Sequence, residues 1–498
     1  MQLHREDAGI AHPSTGCRLG ISKRHDIGSQ VNVALWWIVY VCLFSTLSSL
    51  VLLYRMAGES SLSAFWASNV GVLFMTLVVV AFVSSIIILR QFIRSWAAGP
   101  RYVIKRTAFY LVLPLLLLTV TELTVRLLAV ETPWGTYLGQ VLLYPREWDS
   151  MVAQNRRILQ RMKDEQSYLI IDDLLGWTVG ADRRSADGLF YSSAEGIRSS
   201  GLGVSFAEGR TRSRIALVGD SMTFDEEVKF EDSWGHQLNQ LLGPDVQVLN
   251  FGVPGYGVDQ MYLRYKRDVR PWNPDIVILS FINHDLMRTL WVYPFIGRPK
   301  WELPTMKPRF VFENDRLRLL NVPLPPPEKI FAAHSVRELP FVEYDVHYSL
   351  LEWDRPAWQF FHLSYAFRTL ASLHPPLVGT NVDLKHVRRE ELDSVNGELF
   401  GSFVELVTQA GAIPIVVYLP TPTDYMTSLS GSESFVSAGL KILRDYRIEH
   451  VDLTSCVAEV DRRRRFSHGE FAGHYSTITN RAVAQCLGQV VRTSLPTG

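Results

Sequence analysis

Ser221 follows an apolar run, 214–218, through a Gly219-Asp220 turn. A hydroxyl placed there leaves the end of a strand and faces the crevice where open parallel sheets collect their ligands. Its own N–H lies at or near the start of a helix. Gly252, Gly255 and Gly257 follow a second apolar run, 246–250, so that bare backbone N–H groups can approach a ligand. Asn283 follows a third run, 275–281, and carries an amide donor. A hydroxyl, N–H groups and an amide are the set needed to attack a carbonyl and hold the resulting oxyanion. The base for such an attack is available in His474, within Ala472-Gly473-His474-Tyr475-Ser476.

These residues need a frame. Apolar strand-like runs at 214–218, 246–250, 275–281, 413–418 and 450–453 alternate with helical stretches at 233–242, 259–268, 399–409 and 479–492. That alternation predicts an α/β fold, a parallel sheet with helices on both faces. Residues 151–166 read as a polar connector helix. The stretch 290–381, rich in Pro, Trp, Tyr and Phe, breaks the rhythm and reads as an insertion over the carboxyl ends of the strands, either a lid or substrate platform or an ordered packing loop.

Taken together and in this order, the blocks resemble the SGNH (GDSL-type) hydrolase superfamily. Gly219-Asp220-Ser221 is similar to its first block, Asn250-Phe-Gly-Val-Pro-Gly255 to its glycine block, Asn283 to its asparagine block and His474 to its closing histidine block. The resemblance spans roughly 175–493 and leaves the insertion unmatched. It implies a three-layer α/β/α sandwich, Ser221 as nucleophile, His474 as general base, and an oxyanion hole made by the N–H groups of Ser221 and Gly255 and the Asn283 amide. It implies no cofactor and no metal.

Two blocks depart from the family pattern. The third reads Phe281-Ile282-Asn283-His284, without the usual glycine and with the acid one place late, at Asp285. The Asp expected two or three residues before the histidine is replaced by Phe471 and Ala472; the nearest upstream acid is Glu470, with Asp461 further off. Three possibilities stay open for the acid that should orient His474: a Ser–His dyad, Glu470 from a shifted position, or an inactive site. Three functions follow. One is an esterase or deacylase acting on an O-acylated, in particular O-acetylated, glycan or lipid. The second is an acyltransferase modifying an exported polysaccharide, in company with envelope polysaccharide machinery. The third is a degenerate glycan-binding or assembly subunit.

The chain is 47 % hydrophobic and only 20 % charged, which directs attention to membrane spans. Runs at 31–54 and 60–89 carry no charge, and the run at 107–130 carries only Glu122 and Arg126. Each is long enough to cross a hydrocarbon core of about 30 Å. Glu122 and Arg126 stand one helical turn apart and read as a structural ion pair near the membrane boundary. Basic residues crowd the leading tail (Arg5, Arg18, Lys23, Arg24) and the second loop (Arg90, Arg94, Arg101, Lys105, Arg106). The positive-inside rule then puts 1–30 in the cytoplasm as a disordered tail, three transmembrane helices over 31–130, a connector over 131–174, and the catalytic domain, 175–498, outside. In a Gram-negative cell this is a multi-pass inner-membrane protein with a periplasmic domain.

The 50 basic and 50 acidic side chains cancel, so no global basic field for nucleic acid exists. Of the four cysteines, Cys456 and Cys486 fall close enough in the chain to pair if their compartment is oxidising. Asp225, Glu226, Glu227, Glu231 and Asp232, just after the nucleophile, read as a solvated loop and helix-start acids. Arg462–Arg465 reads as a solvated face able to touch lipid head groups or an acidic glycan.

Overall fold

The computed structural model describes residues 118–132, 135–139, 141–207, 212–298, 301–348, 363–373, 384–429, 437–467 and 473–495. The first two apolar runs, most of the leading half of the third, and Glu470 lie outside these residues. The chain divides into two compact units, Met1–Ala129 with Leu138–Val141 and Phe361–Val378, and the remainder.

Of the first unit, the helix over 118–128 is described. Glu122 pairs with Arg126 at 2.5 Å and accepts hydrogen bonds from the Ser364 hydroxyl and the N–H groups of Tyr365 and Ala366, each at 2.9 Å. It thereby satisfies open N–H groups at the start of the helix Tyr365–Leu373. The pair is structural, as its spacing suggests. Among the described residues, no helix is long and apolar enough to cross a membrane.

The second unit is built on a parallel sheet of β1 (Ser213–Gly219), β2 (Val246–Asn250), β3 (Ile276–Phe281), β4 (Ile413–Tyr418) and β5 (His450–Asp452), in the order β5-β4-β3-β1-β2. Its strands are near-continuous apolar runs because both faces are buried. The side chains divide with the two-residue period of a strand. Ile215, Leu217, Ile276, Ile278, Ile415 and Val417 face one way, and Ala216, Val218, Val277, Leu279 and Val416 face the other.

Each face carries a helical layer. On the first, α2 (Trp234–Leu242) packs with the closing helix α6 (Thr477–Ser494) through Trp234, Leu238, Val483, Leu487 and Val491. On the second lie α3 (Val258–Arg264) and α5 (Leu384–Gln409), through Met261, Leu392, Val395, Leu399 and Phe403. The three-layer α/β/α arrangement is therefore present. α5 starts well before the predicted 399, because its first turns are polar and only Leu392 and Val395 mark the buried side.

The polar connector is a helix, Trp148–Asp164, slightly earlier than predicted. Its apolar side, Trp148, Met151, Val152 and Leu159, forms a separate core with Val292, Phe295, Ile296, Leu324, Ile330 and Phe331 of the insertion. Much of the insertion thus packs on the connector, while other parts of it reach the sheet's carboxyl end. Cys456 and Cys486 are disulfide-bonded.

Candidate active site

β2 lies on one side of β1 and β3 on the other, so the strand order reverses beside β1 and leaves a crevice at its carboxyl end. Ser221 stands at that point. β1 ends in Gly219, and Ser221 opens the short helix α1 (Ser221–Phe224). Asp220 caps it, its carboxylate accepting from Met222 N–H at 2.9 Å. Gly219 is required here: a Cβ would overlap Thr223 Oγ1 and crowd the Ser280 carbonyl. Asn250, at the end of β2, ties the glycine loop to this turn. Its amide donates to Thr223 O at 2.7 Å and its carbonyl accepts from Gly252 N–H at 2.9 Å.

His474 enters from the other end of the chain. Gly473 supplies a backbone φ of +126°, and Ser467 N–H donates to His474 O at 2.7 Å, fixing the loop ahead of α6. The ring's Nε2 then lies 2.9 Å from Ser221 Oγ. With the proton on Nδ1, the serine hydroxyl donates to Nε2, the arrangement of a nucleophile and its base.

The acidic run after Ser221 departs from the sequence reading. Only Glu231 of the five acids is exposed. Asp225 is buried and accepts from Trp234 N–H at 2.8 Å; burial holds its carboxyl well above the usual range. Glu226 Oε2 is 3.3 Å from His474 Nε2, and Glu227 Oε2 is 3.8 Å from His474 Nδ1. The Ser467 hydroxyl also donates to Glu227. Burial, reinforced by the Asp220 and Glu227 charges, pushes the Glu226 carboxyl up to about 7.

The solvated-loop expectation fails because of a residue far upstream, the buried Arg198. Its guanidinium donates to the carbonyls of Phe224, Asp225 (2.6 Å) and Val228 (2.6 Å) and lies over the Phe224 ring. Asp225 and Glu227 both adopt positive φ, 64° and 72°, which folds the loop back toward the histidine. No spacing rule links Arg198 to this loop. The legible signal was the lack of an acid before His474 together with acids directly after the nucleophile.

The other predicted residues are also at the crevice. Gly255 has φ +83°, and a Cβ there would collide with the Trp301 ring. Among the described residues, neither the Ser221 nor the Gly255 N–H donates to a protein acceptor, so both remain available for an oxyanion. Asn283 is held differently from expectation. Its NH2 donates to Tyr418 Oη at 2.8 Å and Asp424 Oδ1 at 3.0 Å, and its carbonyl accepts from Ser437 Oγ and Gly439 N–H. The reversed amide would face two donors with its NH2, so this orientation is the one its partners dictate. Asp285 is buried beside Asp220, with Arg288 reaching Asp285 at 2.5 Å and Asp220 at 3.3 Å. Arg465, counted in the solvated run, is buried and donates to the carbonyls of Ala458 and Val460. Among the described residues, no group of three His, Cys, Asp or Glu could hold a metal ion.

No protein-family model matches the chain. No curated protein matches it either. Among solved structures it is similar to an acetylxylan esterase from Geobacillus stearothermophilus (12 % identity over 56 % of this chain and 94 % of that one, TM-score 0.29). It is also similar to a lipase/acylhydrolase from Enterococcus faecalis (12 %, 57 % and 98 %, 0.28) and to a two-domain esterase active on acetylated mannans (12 %, 57 % and 49 %, 0.28). These are likenesses at low identity and low overlap, and the chemistry below rests on this chain's own residues.

Proposed function

We propose that this protein is a membrane-anchored serine esterase that removes an acyl group, in the first instance acetyl, from a glycan of the cell envelope. The observation that carries the reading is the 2.9 Å contact between His474 Nε2 and Ser221 Oγ at the switch point of the sheet. In the first step Ser221 Oγ attacks the ester carbonyl and passes its proton to His474 Nε2. The oxyanion is held by the N–H groups of Ser221 and Gly255. The sugar oxygen leaves with the proton from His474, giving an acyl-Ser221 that water then hydrolyses by the same steps. Glu227, near Nδ1, keeps the proton on that nitrogen so that Nε2 stays unprotonated and acts as base. A carboxylate in that position weakens the case for a degenerate binding subunit, which leaned on the missing acid before His474.

The membrane and extracytoplasmic parts of the reading draw on the apolar runs and their flanking charge. They gain support from the helix over 118–128, whose Leu118, Leu123 and Leu127 are 53 %, 55 % and 85 % exposed. Such apolar exposure suits a lipid surrounding. The Cys456–Cys486 bond suits an oxidising compartment.

A fluorophosphonate probe tests the core of the reading. Wild-type protein should be labelled at Ser221, and Ser221→Ala should lose labelling and ester hydrolysis together. Folded wild-type protein that takes no label overturns the assignment.

A further inference from the structure

Near the nucleophile, Arg288 and residues of the insertion build a wall rich in hydrogen-bond donors. Trp301 presses on Gly255, in the glycine loop itself. The Arg288 guanidinium, tethered to Asp220 and Asp285, lies 5.7 Å from the Trp301 ring centroid. The Trp291 ring stands edge-on to Trp301 at 5.3 Å and beside His347 at 5.2 Å, and the Arg298 guanidinium lies 5.8 Å over Trp291. From Asp220, next to Ser221, to Arg298 the groups form an unbroken series of contacts.

Three buried polar atoms of this wall have no partner: Trp291 Nε1, His347 Nε2 and Arg288 Nε. Trp291 is only 4 % exposed, and a buried N–H without an acceptor is costly and uncommon. Arg298 is exposed and, among the described residues, has no carboxylate partner. The acids nearest in the chain or the fold are committed elsewhere, Glu302 to Arg161 and Asp345 to the N–H groups of Val292, Tyr293 and His347. Arg288 adds like-charge repulsion, so Arg298 carries positive charge that no acid among the described residues pairs with. An aromatic face for a sugar ring, a free guanidinium and orphaned donors together match a sugar bearing a carboxylate.

We propose that Arg298, Trp291, Trp301 and His347 form a subsite for an acidic sugar, so that the acyl ester cleaved at Ser221 is carried by a uronate-containing glycan. The inference rests on the esterase reading for its catalytic half only; recognition of the acid is measurable without turnover. The Trp301 face stacks on the sugar, Arg298 pairs with the carboxylate, and the Trp291 and His347 N–H groups take the ring oxygens or the second carboxylate oxygen.

The test uses the full chain in detergent and compares hexagalacturonate with xylohexaose as ligands, then their acetylated forms as substrates. Wild-type protein should bind hexagalacturonate at least ten-fold more tightly than xylohexaose. Arg298→Gln should erase that preference, and Arg298→Lys should restore part of it, since it keeps the charge but loses the fork. The KM for acetylated oligogalacturonate should rise about ten-fold in Arg298→Gln. Equal affinity for the two oligosaccharides, a preference that survives Arg298→Gln, or tighter binding of glycerol phosphate than of galacturonate overturns the subsite. Protein that binds the acidic glycan through Arg298 yet hydrolyses no ester keeps the subsite and overturns the esterase reading instead.

Discussion

The two flanks of Ser221 carry opposite charge and are built in opposite ways. On the His474 side, Asp225, Glu226 and Glu227 sit on one short loop pinned by the buried Arg198; the Glu226 and Glu227 carboxyls approach the imidazole, while Asp225 accepts from Trp234 N–H. On the insertion side, Arg288, Arg298, Trp291, Trp301 and His347 present donors and aromatic faces, with Arg288 against the Trp301 ring and Arg298 against the Trp291 ring. In the proposed esterase the acidic flank would set the proton position on the ring, which a displacement of an ångström would upset. The insertion flank leaves Arg298 exposed, where the proposed acidic sugar would reach it from solution. On that proposal the contrast separates residues that act on the base from residues that select a substrate.

The largest effect should come from removing the clamp on the acidic flank. Arg198→Met leaves three buried carbonyls without donors and Asp225 without its nearest positive charge, a loss of about 3–5 kcal/mol in stability. Activity should fall further than the loss of folded protein accounts for, because Glu226 and Glu227 are released together. Thermal unfolding and activity per folded molecule measure the two parts. A variant that unfolds earlier but keeps full activity per folded molecule would show that the loop holds its shape without Arg198.

Glu227→Gln comes next. The amide cannot hold a proton on His474 Nδ1 as a carboxylate does, so kcat should drop by roughly 10²- to 10⁴-fold with little change in KM. The acid limb of the pH–rate profile should also move to lower pH, since the imidazolium loses a neighbouring anion. Glu470→Gln is the matched control, testing the acid that the sequence alone suggested. A large loss there with a small one in Glu227→Gln would transfer the orienting role back to Glu470.

The sheet and the attacking pair were legible in the sequence because both follow from local rules. Runs such as Ile215–Val218 and Ile276–Leu279 are apolar throughout since both faces are covered, and a parallel sheet puts its loops at one end. His474 could be placed because it directly precedes the closing helix. The acidic loop could not, since its burial depends on Arg198, whose contact with it no period or spacing encodes. Asn283 was identifiable as a strand-end amide, but its partners Tyr418 and Asp424 come from the next strand and the helix after it, Pro422–Leu429, and they occupy the donors expected to face the oxyanion. The insertion was visible only as a break in rhythm, because its two packing partners, the connector helix and the glycine loop, both lie well upstream of it in the chain, where no local period links them to it.

The smallest effect has the opposite sign and separates the two glutamates. Glu226 Oε2 approaches Nε2, the same nitrogen that must take the proton from Ser221. The groups facing this carboxyl are Asp220, Glu227, His474, Arg198 and Arg288. Its carboxyl is pushed from 4.5 up to about 7, so it is neutral in mildly acidic solution and an anion above neutrality. As an anion it favours the neutral tautomer that carries its proton on Nε2, and that tautomer cannot take the proton of Ser221. Glu226→Gln should therefore raise kcat several-fold above pH 7 and change it little below. Stability should follow the same window. A carboxyl that titrates higher in the folded state binds more protons there than in the unfolded chain, so wild-type stability falls as pH rises from about 4.5 and levels off above about 7. The total is about 3 kcal/mol. The glutamine variant escapes this loss, so its melting temperature relative to wild type should climb through that window and then plateau. A difference that stays flat from pH 4 to pH 8 would mean that Glu226 titrates in the folded protein as it does in the unfolded chain, and the rate gain should then extend below neutrality as well.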